Sequence, residues 1–294
     1  MNKGPRPRFT QCFAIAVLGV GSFAGLRCAA SAEPVPLPAP TASPSASPAP
    51  ASDPCESMSA LVSRPSVATS PCSVKPNHLL IESGYSNTAV GGAGGSNTAL
   101  YPQASLRAGV LGKLEFDLDP SSIVRQSSPI LGGTSDSGIG FHYEFGYTDK
   151  IVYGTNVVYT IANGTPAFSA NGDGVLLNLD GAYTLSSALG LFGTLGYETQ
   201  SAGTVSVPAR YRAFAPALGL TWSLPAGFDA FVEGFGQTAN GPGQSGRYAY
   251  DFAVQKDVGS RLQLDVDLAE HAPASGGAHQ TATGFGVSYL IGAP

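Results

Sequence analysis

Charge is scarce in this chain: Asp, Glu, Lys and Arg make up 12 % of its 294 residues, and the formal net charge is -5. A nucleic-acid surface needs clustered Lys and Arg to neutralise phosphates, so this composition excludes one. Histidine and cysteine are equally sparse, at four each. After Asn77 there is no Cys and no close His cluster, which leaves a transition-metal centre without ligands. Abundance lies elsewhere. Glycine counts 38 and apolar residues 43 %, too many glycines for a helical protein and too much apolar surface for a disordered one. The mixture favours many short strands.

The N-terminus carries Lys3, Arg6 and Arg8, then an apolar run from Phe9 to Leu26, then small residues ending Ala30-Ser31-Ala32. That order predicts a signal peptide, residues 1–32, cleaved before Glu33. The alternative is a membrane anchor, but the run is glycine-interrupted, short for a span, and preceded by the positive charge. A lipid-modified Cys28 is disfavoured because Arg27 stands where such sites need a small residue. Residues 33–54 are Pro, Ala and Ser with almost no large apolar side chain, and read as an extended linker. Loss of the leader would leave two cysteines, Cys55 and Cys72, in an exported chain where oxidation is allowed. We expect them to pair, closing a short periplasmic segment over residues 55–76 and stabilising it by about 3 kcal/mol.

From residue 77 to 294 large apolar side chains recur at every second position, the period of a strand. Phe285, Val287, Tyr289 and Ile291 fall on one face, with Gly284, Gly286 and Ser288 on the other. Leu264, Val266 and Leu268 oppose Asp265 and Asp267; Tyr250 and Phe252 oppose Asp251; Phe141, Tyr143 and Phe145 oppose His142 and Glu144. Similar runs bring the expected count to about twelve strands, each of about ten residues.

Alternation alone also suits a soluble sandwich or a lipocalin-like barrel, so the connections decide. Tight turns at Leu111–Lys113, Thr148–Lys150, Ser186–Ala188, Pro225–Gly227 and Asp257–Ser260 alternate with long loops at Thr88–Leu100, Pro120–Asp136, Ala162–Asp173, Thr199–Ala209, Gln237–Gly246 and His271–Ala278. A transmembrane antiparallel up-and-down β-barrel follows that rule, with short turns in the periplasm and longer loops outside. The acidic residues agree. Glu82, Glu115, Asp117, Glu144, Asp180, Glu233, Asp251, Asp265 and Asp267 fall mid-strand with Arg107 and His142 on the face opposite the apolar one. A dry core would not tolerate them, whereas a polar lumen does, with Arg107, Lys113 and Arg247 as counter-charges. These residues are therefore the lumen-facing candidates. Aromatics near the predicted strand ends, among them Tyr153, Tyr159, Tyr197, Trp222 and Tyr289, suit interfacial girdles.

The units SLRAGVLGKLEFDLDP (Ser105 to Pro120), FHYEFGYTDKIVYGTNVVYT (Phe141 to Thr160) and LQLDVDLAEHAPASGGAHQTATGFGVSY (Leu262 to Tyr289) resemble the meta-pathway phenol degradation family. The resemblance covers residue 77 to the end and rests on barrel rhythm more than on a catalytic string. It implies an outer-membrane barrel of a Gram-negative bacterium, serving as a channel or transporter for small compounds, hydrophobic or aromatic ones included. The run Thr283 to Tyr289 is similar to the signal read by the outer-membrane assembly machinery, although the chain continues to Pro294.

Catalysis has little support. His142 with Glu144 two residues on could form an oriented imidazole, but no serine is placed to complete a nucleophilic site, and a lumen hydrogen-bond network explains the pair as well. No cofactor is expected. The glycine-rich stretch at Gly91–Gly95 does not link a strand to a helix, so it is not a phosphate cradle. Two functions remain: a passive channel for small, hydrophobic or aromatic, compounds, or a non-transporting barrel with adhesive or binding loops. The expected partners are outer-membrane lipid, the assembly machinery and small hydrophobic molecules. The small inward residues Gly190, Gly196, Ala213, Ala215, Ala217 and Gly219 lean towards open space.

Overall fold

The computed structural model describes residues 53–92, 95–204, 207–272 and 278–292. The expected signal peptide, its cleavage site and nearly all of the linker lie outside the described residues.

A 3-10 turn at Pro54–Glu56 and a single helical turn α1 (Met58–Leu61) open the described chain. Asp53 and Ser57 cap them by accepting the backbone N–H groups of Cys55 and Ala60. Fourteen strands follow: β1 (Leu79–Val90), β2 (Asn97–Leu111), β3 (Leu114–Asp119), β4 (Ile123–Ser127), β5 (Ile130–Thr134), β6 (Ser137–Tyr147), β7 (Ile151–Ile161), β8 (Gly174–Thr184), β9 (Leu189–Thr204), β10 (Val207–Leu224), β11 (Phe228–Gln237), β12 (Arg247–Val258), β13 (Leu262–Ala272) and β14 (Gln280–Ile291). Twelve of them form a closed antiparallel barrel, because β1 pairs with β14 on one side and β2 on the other. Closure leaves no open edge in the ring, which a spanning sheet requires in hydrocarbon.

The remaining two strands correct the sequence reading. The predicted loop Pro120–Asp136 contains a hairpin in which β4 extends the wall beside β2 and β5 pairs back on β4. Ile123-Val124 and Ile130-Leu131 flank Ser128-Pro129, a turn signal between apolar pairs. The predicted loop Thr199–Ala209 is mostly strand as well. β9 and β10 pair without a register shift from Leu189↔Trp222 to Thr204↔Val207, so the ladder continues where apolar alternation has already stopped.

Side chains divide by face as the two-residue period requires. Phe285 is 59 % exposed and Val266 55 %, while Asp265 is 3 % and Gln263 0 %. Apolar groups cover the outside of the wall and polar groups its inside, the reverse of a soluble protein and the arrangement of a barrel in lipid. Three of the tight turns place a glycine in the left-handed region: Gly112 (φ 57°), Gly227 (φ 72°) and Gly259 (φ 71°).

The buried apolar cluster is small and off-centre. Cys55, Met58, Leu61, Val62, Cys72 and Val74 pack against Leu80 of β1 and Val152 of β7, at the short-turn end of the barrel. The disulfide Cys55–Cys72, with Cα atoms 5.3 Å apart, ties this cluster together.

Candidate lumen site

Alternation aims Glu82, Arg107, Glu115, Asp117 and His142 inward from β1, β2, β3 and β6. Pairing of β1 with β2, β2 with β3 and β3 with β6 makes them neighbours. Arg107 is the centre of this group. Its Nε donates to Glu115 Oε1 at 2.6 Å, and its Nη1 donates to Glu82 Oε1 at 3.0 Å. The same guanidinium donates to two backbone carbonyls of the N-terminal segment, Leu61 O and Cys72 O at 3.0 Å for the latter. All three side chains are buried, so the ion pairs must satisfy one another and the peptide groups they touch.

Around the rest of the ring, inward side chains grip the segment that precedes β1. Glu82 accepts the Arg64 N–H at 3.0 Å and the Ser63 N–H at 3.3 Å; Glu115 accepts the Val74 N–H. Glu233 of β11 accepts the Val67 and Ala68 N–H groups at 2.8 Å each and the Ser66 hydroxyl at 3.0 Å. Gln255 of β12 donates to Arg64 O at 2.6 Å, and Arg64 itself reaches Asp265 of β13 at 3.4 Å. Thr194 of β9 accepts the Thr69 N–H at 2.9 Å and passes its own hydroxyl to Asp180 of β8 at 2.6 Å; Asn178 donates to Thr69 Oγ1 at 3.2 Å. A peptide held from β1, β2, β3, β8, β9, β11, β12 and β13 can only lie inside the ring. It occupies the mouth of the barrel at its short-turn end. Irregular backbone is tolerated at this depth because inward carboxylates and amides satisfy its N–H and C=O groups.

The other candidates are placed as follows. Asp117 is buried two residues beyond Glu115 on the same inner face. His142 stands opposite Glu115 in the β3–β6 register, its Nδ1 3.6 Å from Glu115 Oε1. Glu144 makes no hydrogen bond to His142 among the described residues; it forms an ion pair with Lys113 of the β2–β3 turn. Its hydrogen bond to Glu144 raises the Lys113 pKa, as the bond Lys75 donates to Glu56 at 2.8 Å raises that of Lys75 just before β1. Asp251 lies directly across from Glu233, buried, and Asp267 is partly buried beside Gly284. Arg247 is exposed where β12 begins, so it does not share the role of Arg107. Sequence reasoning missed Arg64, Thr194 and Ser66. Arg64 could have been found: it is the one cation between Cys55 and Val74, in a segment adjoining an acidic wall.

Between the segment and the wall from β7 to β11 lies a cavity of about 500 Å³ that reaches the turns at Thr148–Lys150 and Ser186–Ser187. Its lining joins Val152, Phe192 and Phe231 to the hydroxyls of Thr69, Thr221 and Ser223. Phe192 and Phe231 meet edge to face with ring centroids 5.5 Å apart.

No family model matches the chain, and no curated protein sequence matches it. Its fold is that of solved outer-membrane barrels. An outer membrane channel from Pseudomonas putida F1 superposes with a TM-score of 0.58 at 12 % identity, over 74 % of this chain and 97 % of that one. The NanC porin superposes with a TM-score of 0.50 at 11 % identity, over 72 % of this chain and 98 % of that one.

Proposed function

We propose that the protein is an outer-membrane channel of a Gram-negative bacterium for passive passage of small compounds, hydrophobic and aromatic ones among them, and that it carries no catalytic activity. The barrel with its apolar exterior supports the location, and the cavity beside the N-terminal segment carries the functional reading. An aromatic pair facing a rim of hydroxyls gives a small, mostly apolar molecule a surface to pack on and a polar group to bond, the usual composition of a small-molecule site. The resemblance to the phenol degradation family supports the same substrate class. Lipid contacts the outer face, and the C-terminal strand β14 is the element the assembly machinery would engage.

Planar-bilayer recording of the purified protein tests this. Discrete single-channel steps, reduced by millimolar benzyl alcohol in the wild type and less so in Phe231→Ala, are the expected result. Absence of steps in both, and in a variant that loosens the segment, would defeat it.

One observation favours the second reading, a filled and non-transporting barrel: the segment occupies the mouth with charge-assisted hydrogen bonds from several strands. The two readings separate on variants that loosen the segment. A channel gains conductance from them, whereas a structural barrel gains none.

A further inference from the structure

The outer wall changes character along β10. Phe214 and Leu218 are exposed, and with Leu177 and Leu195 on the neighbouring strands they form part of the apolar belt. Two residues beyond Phe214 toward the long-loop end, the same outward face carries Arg212, and two further on, Arg210. Both guanidinium-bearing residues are exposed, and neither makes an ion pair among the described residues. Tyr197, across the pair from Phe214 with ring centroids 5.4 Å apart, marks the level at which the belt ends.

Asp173, just before β8, is a fixed counter-charge to Arg210. Its carboxylate accepts the Tyr159 hydroxyl and the Ala162 N–H, and the Tyr159 bond holds its pKa below the usual range, with Arg210 adding to the same effect. Asp173 therefore answers part of the field of Arg210, while Arg212 makes no ion pair among the described residues. In a chain of net charge -5, two adjacent cations at the rim of a lipid-facing belt, away from the acidic lumen, are an isolated feature.

We propose that Arg210 and Arg212 dock the phosphate of an anionic lipid headgroup in the outer leaflet, with its acyl chains lying along Phe214, Tyr197 and Leu177. Successive outward residues on a strand are about 6.6 Å apart, so two guanidinium forks can clamp one phosphate or bridge two on one headgroup. Arginine suits this better than lysine because its planar fork meets phosphate oxygens bidentately. The apolar residues directly below accept the hydrocarbon that any such lipid brings. Charge and grease meet here in the order in which a lipid presents them.

The inference rests on the outer-membrane reading but not on conduction. Native mass spectrometry of the detergent-purified protein, with bisphosphorylated lipid A or zwitterionic phosphatidylethanolamine added, tests it. The wild type should retain lipid A in preference to phosphatidylethanolamine, and R210Q/R212Q should lower lipid A retention about tenfold, the loss expected for charged hydrogen bonds. R125Q, on the outward face of β4, is the control for a general charge effect. Equal retention by wild type and double variant, an equal loss in R125Q, or complete displacement of lipid A by millimolar inorganic pyrophosphate would overturn the proposal. Unchanged single-channel steps alongside any of these results would leave the channel reading standing.

Discussion

Glu233 and Ala68 meet at 2.8 Å, the carboxylate of a mid-barrel strand accepting a backbone N–H of the segment that fills the mouth, and Val67 makes the same contact with the other carboxylate oxygen. A side chain four strands round the ring from β1 thus holds a peptide that the chain lays down before its first strand. The contact fixes the segment across the width of the barrel, which the short tether from Val74 to Leu79 could not do alone.

Glu233→Ala should loosen that end of the segment. It removes acceptors for two N–H groups and one hydroxyl, and a bond to a charged group is worth roughly 1.5–3 kcal/mol. If the segment limits passage, open events in planar bilayers should rise at least about tenfold, while barrel content by circular dichroism stays unchanged. Glu233→Gln, which keeps one acceptor oxygen, should fall between the two. Identical traces from all three proteins would show that the segment does not gate the lumen.

Arg107 should be the least replaceable residue in the lumen. Its loss leaves Glu82 and Glu115 buried without their cation, and breaking such a group by removing one partner typically costs 3–5 kcal/mol, taken here as about 4. Arg107→Met should therefore lower the denaturant midpoint sharply, and adding Glu82→Gln and Glu115→Gln to it should recover part of the loss. A triple variant no better than Arg107→Met would mean that the carboxylates are strained for another reason.

The disulfide lends itself to a thiol assay. Cys55 and Cys72 are both almost wholly buried beneath Met58, Leu61 and Val74, so alkylating reagent should label neither in the folded protein, with or without mild reductant. Both should label after reduction in denaturant. Cys55→Ala/Cys72→Ala should cost about 3 kcal/mol of segment stability, read as faster protease cleavage between residues 53 and 76. Labelling of the untreated folded protein would contradict the pairing.

Barrel architecture was legible in the sequence because period-two alternation survives in nearly every strand, and because turn length alternates with it. Phe285 and Asp265 reveal their faces by chemistry alone. The long-loop end was less legible. β9 and β10 run on through Thr199 to Thr204 and Val207 to Arg212, where Thr199, Arg212 and Arg210 replace the large apolar residues of the outward face and only the neighbouring ladder sustains the strand. The position of the segment was illegible for another reason. Ser63, Val67 and Ala68 bond through backbone N–H groups, which every residue but proline possesses, so their side chains advertise nothing. The acidic wall was read as lining for water or a polar network; the structure spends several of those carboxylates on peptide groups instead.

The two faces of β12 and β13 permit a direct comparison. Leu264 is 45 % exposed on the outer wall and Asp265, its neighbour, is buried against Arg64. Leu264→Lys places a cation in the lipid-facing belt and should cost about 2–4 kcal/mol near the midplane. Asp251→Asn/Asp265→Asn/Asp267→Asn should instead leave the barrel folded, since Asn keeps the size and an acceptor. Cation selectivity should fall in the triple variant because fewer fixed carboxylates concentrate cations, an effect that high salt masks in the wild type by screening. Asp265 adds a second consequence, because its loss removes one of the contacts that hold Arg64 and so weakens one tether of the segment. Single Asp265→Asn should therefore raise open probability, whereas Asp251→Asn, which removes no hydrogen bond to the segment among the described residues, should change selectivity alone. Folding yield in vesicles with reversal-potential measurements separates these outcomes. A harmless Leu264→Lys together with an unfolded triple variant would invert the two faces and overturn the barrel's orientation of inside and out.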